Sequence, residues 1–166
     1  MRKIVIAGQP VLHKKAESVK KVDESIRKLI DEMTESMHVA NGVGIAAPQV
    51  GESLQLAVVE VPSDSGEMKR IVLINPRIVS AYGSATAEEG CLSVPNVHLS
   101  IKRFKEIIVE TQTIDGKTVT HKCDGLTARA VQHEIDHLNG ILIIDKVSPI
   151  KRIFAKRKID RKVQSI

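Results

Sequence analysis

The segment Gln132-His133-Glu134-Ile135-Asp136-His137 contains the pattern His-Glu-x-x-His. Side chains four residues apart lie on the same face of a helix, so the two histidines can bind one metal ion. The glutamate between them projects beside that ion and can act as a general base for a metal-bound water. The pattern predicts a metal-dependent hydrolase, provided that the segment is helical and that a third ligand lies nearby.

The residues around the motif favour a helix from Leu126 to Asn139. Asp124 is suited to the N-cap position and Gly140 to the C-terminal end. At 100° per residue, both histidines share one side of the helix with Leu126 and Ala130, and an apolar arc lies next to them. We therefore expect a largely buried helix whose histidines face inward.

A third ligand has to come from upstream of the motif. Position 143, where one class of these enzymes has a histidine, is Ile143, and no glutamate follows Glu134. Cys123 precedes His133 by ten residues, which places it roughly 15 Å away along the helix axis. The chain would have to turn back toward the motif for Cys123 to be a ligand. Cys91 follows a glycine and can present its thiolate to a metal, although a lone cysteine is also commonly a small core residue. Four upstream histidines are the other candidates.

The composition is that of an ordinary globular chain with an aliphatic core. The 166 residues fit one domain, with 42% hydrophobic and 27% charged residues. One Tyr, two Phe and no Trp disfavour an aromatic surface for single-stranded nucleic acid. A signal peptide and a membrane-length apolar run are both absent from the sequence, so we expect a cytoplasmic protein without membrane association. Cys91 and Cys123 are expected as free thiols or a metal ligand.

Short apolar segments between turn residues predict several strands, mostly antiparallel. The clearest pair is a hairpin of Glu106–Ile114 and Lys117–Lys122 about the turn Asp115-Gly116. A polar turn is expected at Ser63–Gly66. The other segments with extended patterns are Ile4–Ile6, Leu54–Val61, Ile71–Ile74, Arg77–Tyr82 and Ile141–Ile144.

Two further helices are expected at either end of the chain. Asp23 can cap the first helix, which ends at Asn41-Gly42, and Pro149 can begin the last one. The apolar residues at helical spacing in the first are Ile26, Leu29, Ile30, Met33 and Met37. Those expected to form one stripe in the last are Ile150, Ile153, Phe154, Ile159 and Val163.

Residues 42–49, Gly-Val-Gly-Ile-Ala-Ala-Pro-Gln, superficially fit the fingerprint of dinucleotide-binding folds. That fingerprint requires a preceding strand and a following helix, whereas here a helix precedes, and Pro48 and Gly51 leave no room for another. We interpret the small residues instead as backbone that approaches another group closely.

Three segments occur together in the order and spacing of the bacterial peptide deformylases: residues 42–49, Glu89-Gly90-Cys91-Leu92-Ser93, and the motif at residues 132–137. The resemblance extends from Pro10-Val11-Leu12 to the basic tail. It implies a hydrolase that removes the formyl group from the N-terminal formylmethionine of nascent polypeptides and releases formate. It also implies an α+β fold in which antiparallel strands pack around the His-Glu-x-x-His helix, with an N-terminal helix and a basic C-terminal helix at 149–166.

The resemblance further implies a metal and its ligands. Cys91, His133 and His137 match the family's ligand positions, and Glu134 matches the general base and acid that serves a metal-bound hydroxide attacking the formyl carbonyl. The implied ion is Fe²⁺, with Ni²⁺ or Co²⁺ as active substitutes and Zn²⁺ as a weaker one. Ligand chemistry alone would have favoured zinc.

Other matching positions imply how a substrate is held. The side-chain amide of Gln49 and the backbone N–H of Leu92 match the hydrogen-bond donors to the tetrahedral intermediate. Gly44 matches a backbone contact to substrate. The candidates for an apolar methionine pocket are Val43, Leu126 and Ala130.

A set of polar residues is expected to surround the ligands. Glu89, Gln132 and Asp136 are candidates to orient the histidines, and Arg103 is a plausible ion-pair partner for one of them. Arg129 must point away from the methionine pocket or line its rim. His98 stands where some relatives carry an arginine that contacts the peptide backbone, which places peptide binding there in doubt.

The net charge of +5 is concentrated at the C-terminal end. Residues 146–166 contain eight Lys or Arg and one acid, a local charge of +7, so residues 1–145 carry −2. One interpretation is electrostatic docking on ribosomal RNA, and the other is an amphipathic helix whose charged face is only solvated. A metallopeptidase and an RNA-binding module with a structural metal are the alternative functions for the whole chain.

Overall fold

The computed structural model describes residues 1–63 and 66–163, with side chains described through residue 159. Three helices and seven strands make up the described chain, together with three short 3₁₀ turns. The helices are α1 (Glu24–Val39), α2 (Gly125–Leu138) and α3 (Pro149–Val163). The strands are β1 (Gly44–Ala46), β2 (Leu56–Pro62), β3 (Met68–Tyr82), β4 (Ala85–Cys91), β5 (Val94–Arg103), β6 (Glu106–Gln112) and β7 (Thr118–Asp124).

The strands form two separate antiparallel sheets. The larger has the order β1-β2-β3-β6-β7, and β4 and β5 form a hairpin of their own. This arrangement confirms the predicted α+β class and the predicted hairpin, which is observed as β6 and β7 with full register from Glu106↔Asp124 to Gln112↔Thr118.

Strand β2 is central to the core because both of its faces are covered. Ala57 and Val59 belong to an apolar cluster with Val131 and Leu138 of α2. The alternate residue Val58 belongs to a second cluster that includes the apolar face of α1. Since successive side chains of a strand point to opposite faces, α2 and α1 lie on opposite sides of the sheet.

Helix α1 begins and ends where the sequence predicts. The Asp23 carboxylate accepts hydrogen bonds from the backbone N–H of Ser25 and Ile26, which satisfies two of the free donors at the helix start. Beyond its end, Asn41 adopts a left-handed φ of 53°, and the N–H of Gly42 donates to the Met37 carbonyl. All five predicted apolar residues of this helix are buried.

Helix α2 also matches its prediction. Asp124 occupies the N-cap position, but its side chain makes no capping hydrogen bond. Val131 and Leu138 are fully buried, and His137 is only 1% exposed. The motif helix is therefore buried with its histidines facing inward, as the sequence predicts.

Four predicted strands are wrong in extent or type. The segments Ile71–Ile74 and Arg77–Tyr82 belong to one strand, β3, which shifts register between Ile74 and Arg77. Ile4–Ile6 is not part of a strand. The Val5 N–H donates a hydrogen bond to the Gln49 carbonyl outside any strand ladder. Ile141–Ile144 gives way to a 3₁₀ turn at Ile143–Lys146. The predicted turn at Ser63–Gly66 includes residues 64 and 65, which lie outside the described residues.

The β4–β5 hairpin has no counterpart among the predicted strands. Its first strand includes Glu88, Glu89 and Gly90, so it lacks the apolar alternation on which strand prediction depends. Its ladder shifts register between Glu89 and Cys91, and the chain reverses between Cys91 and Val94. This tight reversal places Cys91 at the tip of the hairpin.

The predicted apolar stripe of α3 is wrong for three of its members. Ile150, Ile153 and Phe154 are 68%, 53% and 59% exposed, whereas Ala155 and Ile159 are buried against β5 and the 3₁₀ turn. The helix therefore packs through a different face from the one that its large residues suggest. The side chains of Arg161, Lys162 and Val163, and residues 164–166, lie outside the described part of the chain.

Candidate active site

Cys91, His133 and His137 bring their ligand atoms together at one point. The Sγ of Cys91 lies 3.3 Å from Nε2 of His137, which lies 3.2 Å from Nε2 of His133. All three ligand atoms fall within 4.8 Å of one another. Ligand atoms around a tetrahedral ion with typical bond lengths are separated by roughly 3.3–3.8 Å. The cluster therefore fits one transition-metal ion, and one thiolate with two imidazoles is a donor set that such ions favour.

The protonation of the buried histidine suits this use. Burial lowers the pKa of His137 well below its usual value, and the neighbouring His133 lowers it further. Its imidazole is therefore neutral, which is the form that binds metal. Cys123 lies on β7, buried in the apolar cluster beneath α2, and takes no part in the cluster. Both cysteines are free thiols, as expected.

Glu89 contacts His133 through the ring nitrogen that does not face the cluster. Its Oε2 lies 3.0 Å from Nδ1 of His133, which leaves Nε2 of that ring directed at the cluster. Arg103 donates to both carboxylate oxygens, at 2.7 and 2.9 Å, and Arg129 donates to Oε1 at 2.6 Å. Burial alone would raise the Glu89 pKa, but hydrogen bonds from His133 and Arg103 lower it to about 2. Glu89 is thus a buried, fully paired carboxylate.

Asp136 and Gln132, the other polar residues predicted to orient the histidines, form hydrogen bonds to other residues instead. Asp136 accepts a hydrogen bond from Arg103 at 2.7 Å, so Arg103 pairs with two acids rather than one. Gln132 bonds instead to the backbone N–H and C=O of Phe104, both at 3.0 Å. It therefore fastens α2 to the chain that follows β5, and its side chain does not touch the cluster.

Glu134 lies in a tight, dry position against β1. It is 3% exposed, and its Oε2 has no hydrogen-bond partner among the described residues. Burial raises its pKa to about 7, although the positive charges of His133 and Arg103 act in the opposite direction. A carboxylate with a pKa near neutrality can both accept and release a proton, as a general base and acid must.

Gly44 provides the space that Glu134 occupies. A Cβ at position 44 would lie 2.9 Å from the carboxyl carbon of Glu134 and closer still to its Oε1. The small-residue segment at 42–49 therefore lies against the carboxylate of Glu134, which agrees with its interpretation as closely approaching backbone.

Gln49 is oriented by backbone and side-chain contacts. Its Oε1 accepts the N–H of Ala46 at 2.9 Å, so its amide NH₂ must face the other way. That nitrogen lies 3.2 Å from Oγ of Ser93 and 3.7 Å from Sγ of Cys91. The amide donors of Gln49 thus lie beside the metal cluster. The sequence had given Ser93 no role, since its contact depends on the unpredicted hairpin.

A cavity of about 400 Å³ opens onto the cluster. Its walls include the three residues predicted to hold a methionine side chain, Val43, Leu126 and Ala130, together with Leu92 and Cys91. His98 lies at its edge, with its ring against Gly90. Cavity, ligand cluster and Glu134 thus form one continuous site.

The sequence of residues 1–153 matches the family model described as polypeptide deformylase. This chain belongs to the polypeptide deformylase family. The match confirms the resemblance carried by the three segments, and it places the chain in a family of metal-dependent enzymes. The deformylase motifs lie on the β1 segment, at the tip of the β4–β5 hairpin and on α2, which are the elements that meet at the site.

Individual deformylases agree with this assignment over nearly the full chain. A peptide deformylase of Syntrophobacter fumaroxidans is 50% identical over 155 residues, which cover 93% of this chain and 91% of that protein. The crystal structure of a peptide deformylase from Legionella pneumophila has a TM-score of 0.92 at 42% identity, covering 99% and 98% of the two chains. A deformylase of Acinetobacter baumannii, solved with Met-Ala-Ser bound, has a TM-score of 0.82 at 35% identity, covering 89% and 98%.

Proposed function

We propose that this chain is a single catalytic domain, residues 1–166, that removes the formyl group from formylmethionyl nascent polypeptides and releases formate. The observation that carries the proposal is the convergence of Cys91, His133 and His137 on one point at the floor of an apolar cavity, beside the buried Glu134. Since the substrate is a chain that has just left the ribosome, the proposal places the activity in the cytoplasm. The described residues contain no helix that is both long and apolar enough to span a membrane.

Cys91, His133 and His137 would hold the metal, which we propose to be Fe²⁺, with Ni²⁺ or Co²⁺ as active substitutes and Zn²⁺ as a weaker one. A divalent ion held by these three residues would supply a water molecule of lowered pKa as the nucleophile for the formyl carbonyl at neutral pH. The thiolate makes the ligand set anionic, and Glu89 keeps the His133 ring in place through Nδ1.

Glu134 moves the protons of the reaction. Its carboxylate accepts a proton from the attacking water and then donates it to the amine that leaves when the C–N bond breaks. Burial raises its pKa above that of an ordinary glutamate, to about 7 in the metal-free chain, which favours return of the proton to the amine. The products are formate and a peptide with a free N-terminal amine.

Gln49 and the backbone N–H of Leu92 stabilise the charge that develops on the formyl oxygen. The amide NH₂ of Gln49 is aimed toward Cys91 because its Oε1 is already held by Ala46. Leu92 follows Cys91 directly, so its N–H lies at the same hairpin tip. Donors fixed before the reaction lower the barrier, since they need no reorganisation as the charge forms.

The apolar wall of the cavity would accept the methionine side chain. Val43 and Leu126 are 43% and 52% exposed, so both present uncovered apolar surface beside the cluster. Ala130 lies one helical turn after Leu126, where its small side chain leaves room. The Met-Ala-Ser peptide bound to the Acinetobacter baumannii deformylase is the product that this reaction would yield from a formylated peptide.

The test compares two substrates with one protein sample. Protein loaded anaerobically with Fe²⁺ is expected to release formate from formyl-Met-Ala-Ser and to leave unformylated Met-Ala-Ser intact. Cleavage of the unformylated peptide without formate release would contradict the proposal and indicate a metallopeptidase instead.

We further propose that the basic C-terminal segment docks on ribosomal RNA. Lys151, Lys156, Arg157 and Lys158 are all exposed on α3, where they are free to contact phosphates. The triple change of Lys156, Arg157 and Lys158 to Gln is expected to weaken co-sedimentation with ribosomes most strongly at low salt, while peptide turnover stays unchanged. A matched control changes the exposed Lys14, Lys15 and Lys20 to Gln. Equal binding by both triple variants would contradict this docking.

A further inference from the structure

Arg129 joins the motif helix to the hairpin that carries the cysteine. It lies one turn before His133 on α2, and its side chain is 14% exposed. Its Nη1 donates to Oε1 of Glu89 at 2.6 Å and to the carbonyl of Ile101 at 3.0 Å. Its Nη2 donates to the carbonyl of Ala85 at 2.9 Å. One guanidinium thus contacts the start of β4, the end of β4 and the end of β5.

These contacts matter because the three ligands come from two separately built parts of the fold. His133 and His137 lie on α2, which packs on the five-stranded sheet, whereas Cys91 lies on the β4–β5 hairpin, which forms no ladder with that sheet. Side chains that cross from α2 to the hairpin therefore help to set the distance from the thiolate to the imidazoles.

Two arginines cross that gap in opposite directions. Arg103 extends from β5 to Asp136 on α2, and Arg129 extends from α2 to β4 and β5. Both arginines donate a hydrogen bond to Oε1 of Glu89. Arg103 also donates to Oε2, which lies 3.0 Å from Nδ1 of His133. A planar guanidinium can serve several acceptors at fixed angles, whereas a lysine ammonium on a flexible stem cannot reproduce that fork.

We infer that Arg129 is a positioning residue that holds the hairpin carrying Cys91 at the distance from His133 and His137 at which all three bind one ion. The inference rests on the proposed function, since it assigns the cluster to a catalytic metal. Arg129 also lines the cavity, where it lies next to Ala130. Its role extends from the substrate pocket to the metal ligands through Glu89.

The test measures Co²⁺ binding to the full chain by visible absorption, which reports both affinity and ligand geometry. Arg129→Met is expected to weaken Co²⁺ binding on the order of tenfold or more and to change the intensity of the cobalt bands. Arg129→Lys retains the charge beside Glu89 and is expected to lose less Co²⁺ affinity than Arg129→Met. Arg77→Met, at a 71% exposed side chain paired with Glu110, is the matched control and is expected to bind as the unchanged chain does.

Circular dichroism and thermal unfolding of each variant separate positioning from folding. A native fold with altered cobalt bands in either Arg129 variant supports the inference. Unchanged Co²⁺ affinity and bands in both variants would overturn it, as would failure of both to fold, since Arg129 would then be a structural residue. Formate release by the unchanged chain is assayed in parallel, so its absence would refute the proposed reaction separately from the Co²⁺ result.

Discussion

At the scale of single residues, the contact between Gly44 and Glu134 shows how the chain makes room for its catalytic carboxylate. A Cβ there would overlap the carboxyl group of Glu134, so any other residue at position 44 has to displace that side chain. The contact places the carboxyl group where it is only 3% exposed, and this burial raises its pKa to about 7. Position 44 therefore affects the proton chemistry without contributing a side chain.

Gly44→Ala is expected to displace Glu134 and lower kcat strongly, by roughly a hundredfold, on the scale of losing general base catalysis. Overpacking should also reduce the free energy of unfolding by about 1–3 kcal/mol. Steady-state formate release and urea unfolding measure the two effects. Gly90→Ala is the matched control in the same cavity, because its Cβ would meet only the movable ring of His98 at 3.3 Å. Equal loss in both variants would refute the role given to Gly44.

The sequence predicted the ligands better than the residues that support them. His133, Glu134 and His137 follow from helical spacing, and Cys91 from its glycine context and the family resemblance. Ser93 and Arg129 could not be predicted in the same way. Their partners are the amide of Gln49 and the backbone carbonyls of Ala85 and Ile101, which meet them only through the tertiary fold.

At the scale of elements, β3 shows why a break in pattern is not always a break in structure. Asn75 has a left-handed φ of 50°, and Pro76 lacks a backbone N–H, so the pair looks like a turn in the sequence. The Asn75 side chain forms hydrogen bonds where the β3–β6 ladder is interrupted. It accepts from the N–H of Val19 and donates to the carbonyl of Val19 and to Oε1 of Gln112. The strand therefore continues through a local shift of register.

Asn75→Ala is expected to lower the free energy of unfolding by about 2–4 kcal/mol, because three hydrogen bonds are lost and alanine is strained at positive φ. Asn75→Gly loses the same bonds without the strain, so it should be about 1 kcal/mol less destabilising. Urea unfolding of both variants gives the difference. A glycine variant as unstable as the alanine variant would show that backbone strain plays no part.

The helices were predictable in position but not always in orientation. The inward face of α1 follows directly from its apolar spacing, since all five predicted residues are buried. In α3 the larger residues Ile150 and Phe154 face outward, and the small Ala155 faces the core. Which face packs depends on the neighbours that β5 and the 3₁₀ turn provide, and sequence periodicity carries no information about them.

At the scale of the whole molecule, stability and the site share one buried network of charges. Glu89 is paired with Arg103, Arg129 and His133, and Arg103 continues to Asp136, which also pairs with Lys146 at 2.8 Å. This network connects the hairpin, the motif helix and the segment before α3. Loss of one member leaves its partners buried and unpaired, which is more costly than loss of an exposed pair.

The metal-free protein is expected to lose stability in acid because of Glu89. The pKa of this group is about 2 in the folded chain and near 4.5 when unfolded, so its contribution is fully present above pH 4.5 and is lost as the pH falls toward 2. The contribution is about 3–4 kcal/mol at most, from about 1.4 kcal/mol per pKa unit. Urea unfolding between pH 3 and 7 should show that the free energy of unfolding depends less steeply on pH in Glu89→Gln than in the unchanged chain.

The control for this dependence is Glu106→Gln, whose carboxylate is 49% exposed beside Lys122. In this variant the free energy of unfolding should depend on pH as steeply as it does in the unchanged chain. A slope that stays the same in Glu89→Gln would contradict the assignment of acid sensitivity to the buried network.

The fold class was predictable, whereas the division into two sheets was not. The α+β arrangement around the motif helix follows from the family resemblance and agrees with neighbours at a TM-score of 0.92. The separate β4–β5 hairpin escaped strand prediction because Glu88 and Glu89 interrupt its apolar pattern. Glu89 is paired there with Arg103, Arg129 and His133, so a charged residue with buried partners interrupts the apolar pattern from which the strand could have been predicted.

The measurement that bears most directly on the central proposal is formate release by Glu134→Gln beside the unchanged chain, with Fe²⁺ content determined in both. Glutamine is close in shape to glutamate but cannot accept and return the proton. We predict equal metal content, because Glu134 is not a ligand, and a rate of formate release lower by roughly 10²–10⁴-fold. A variant that binds metal and releases formate at the rate of the unchanged chain would contradict the mechanism.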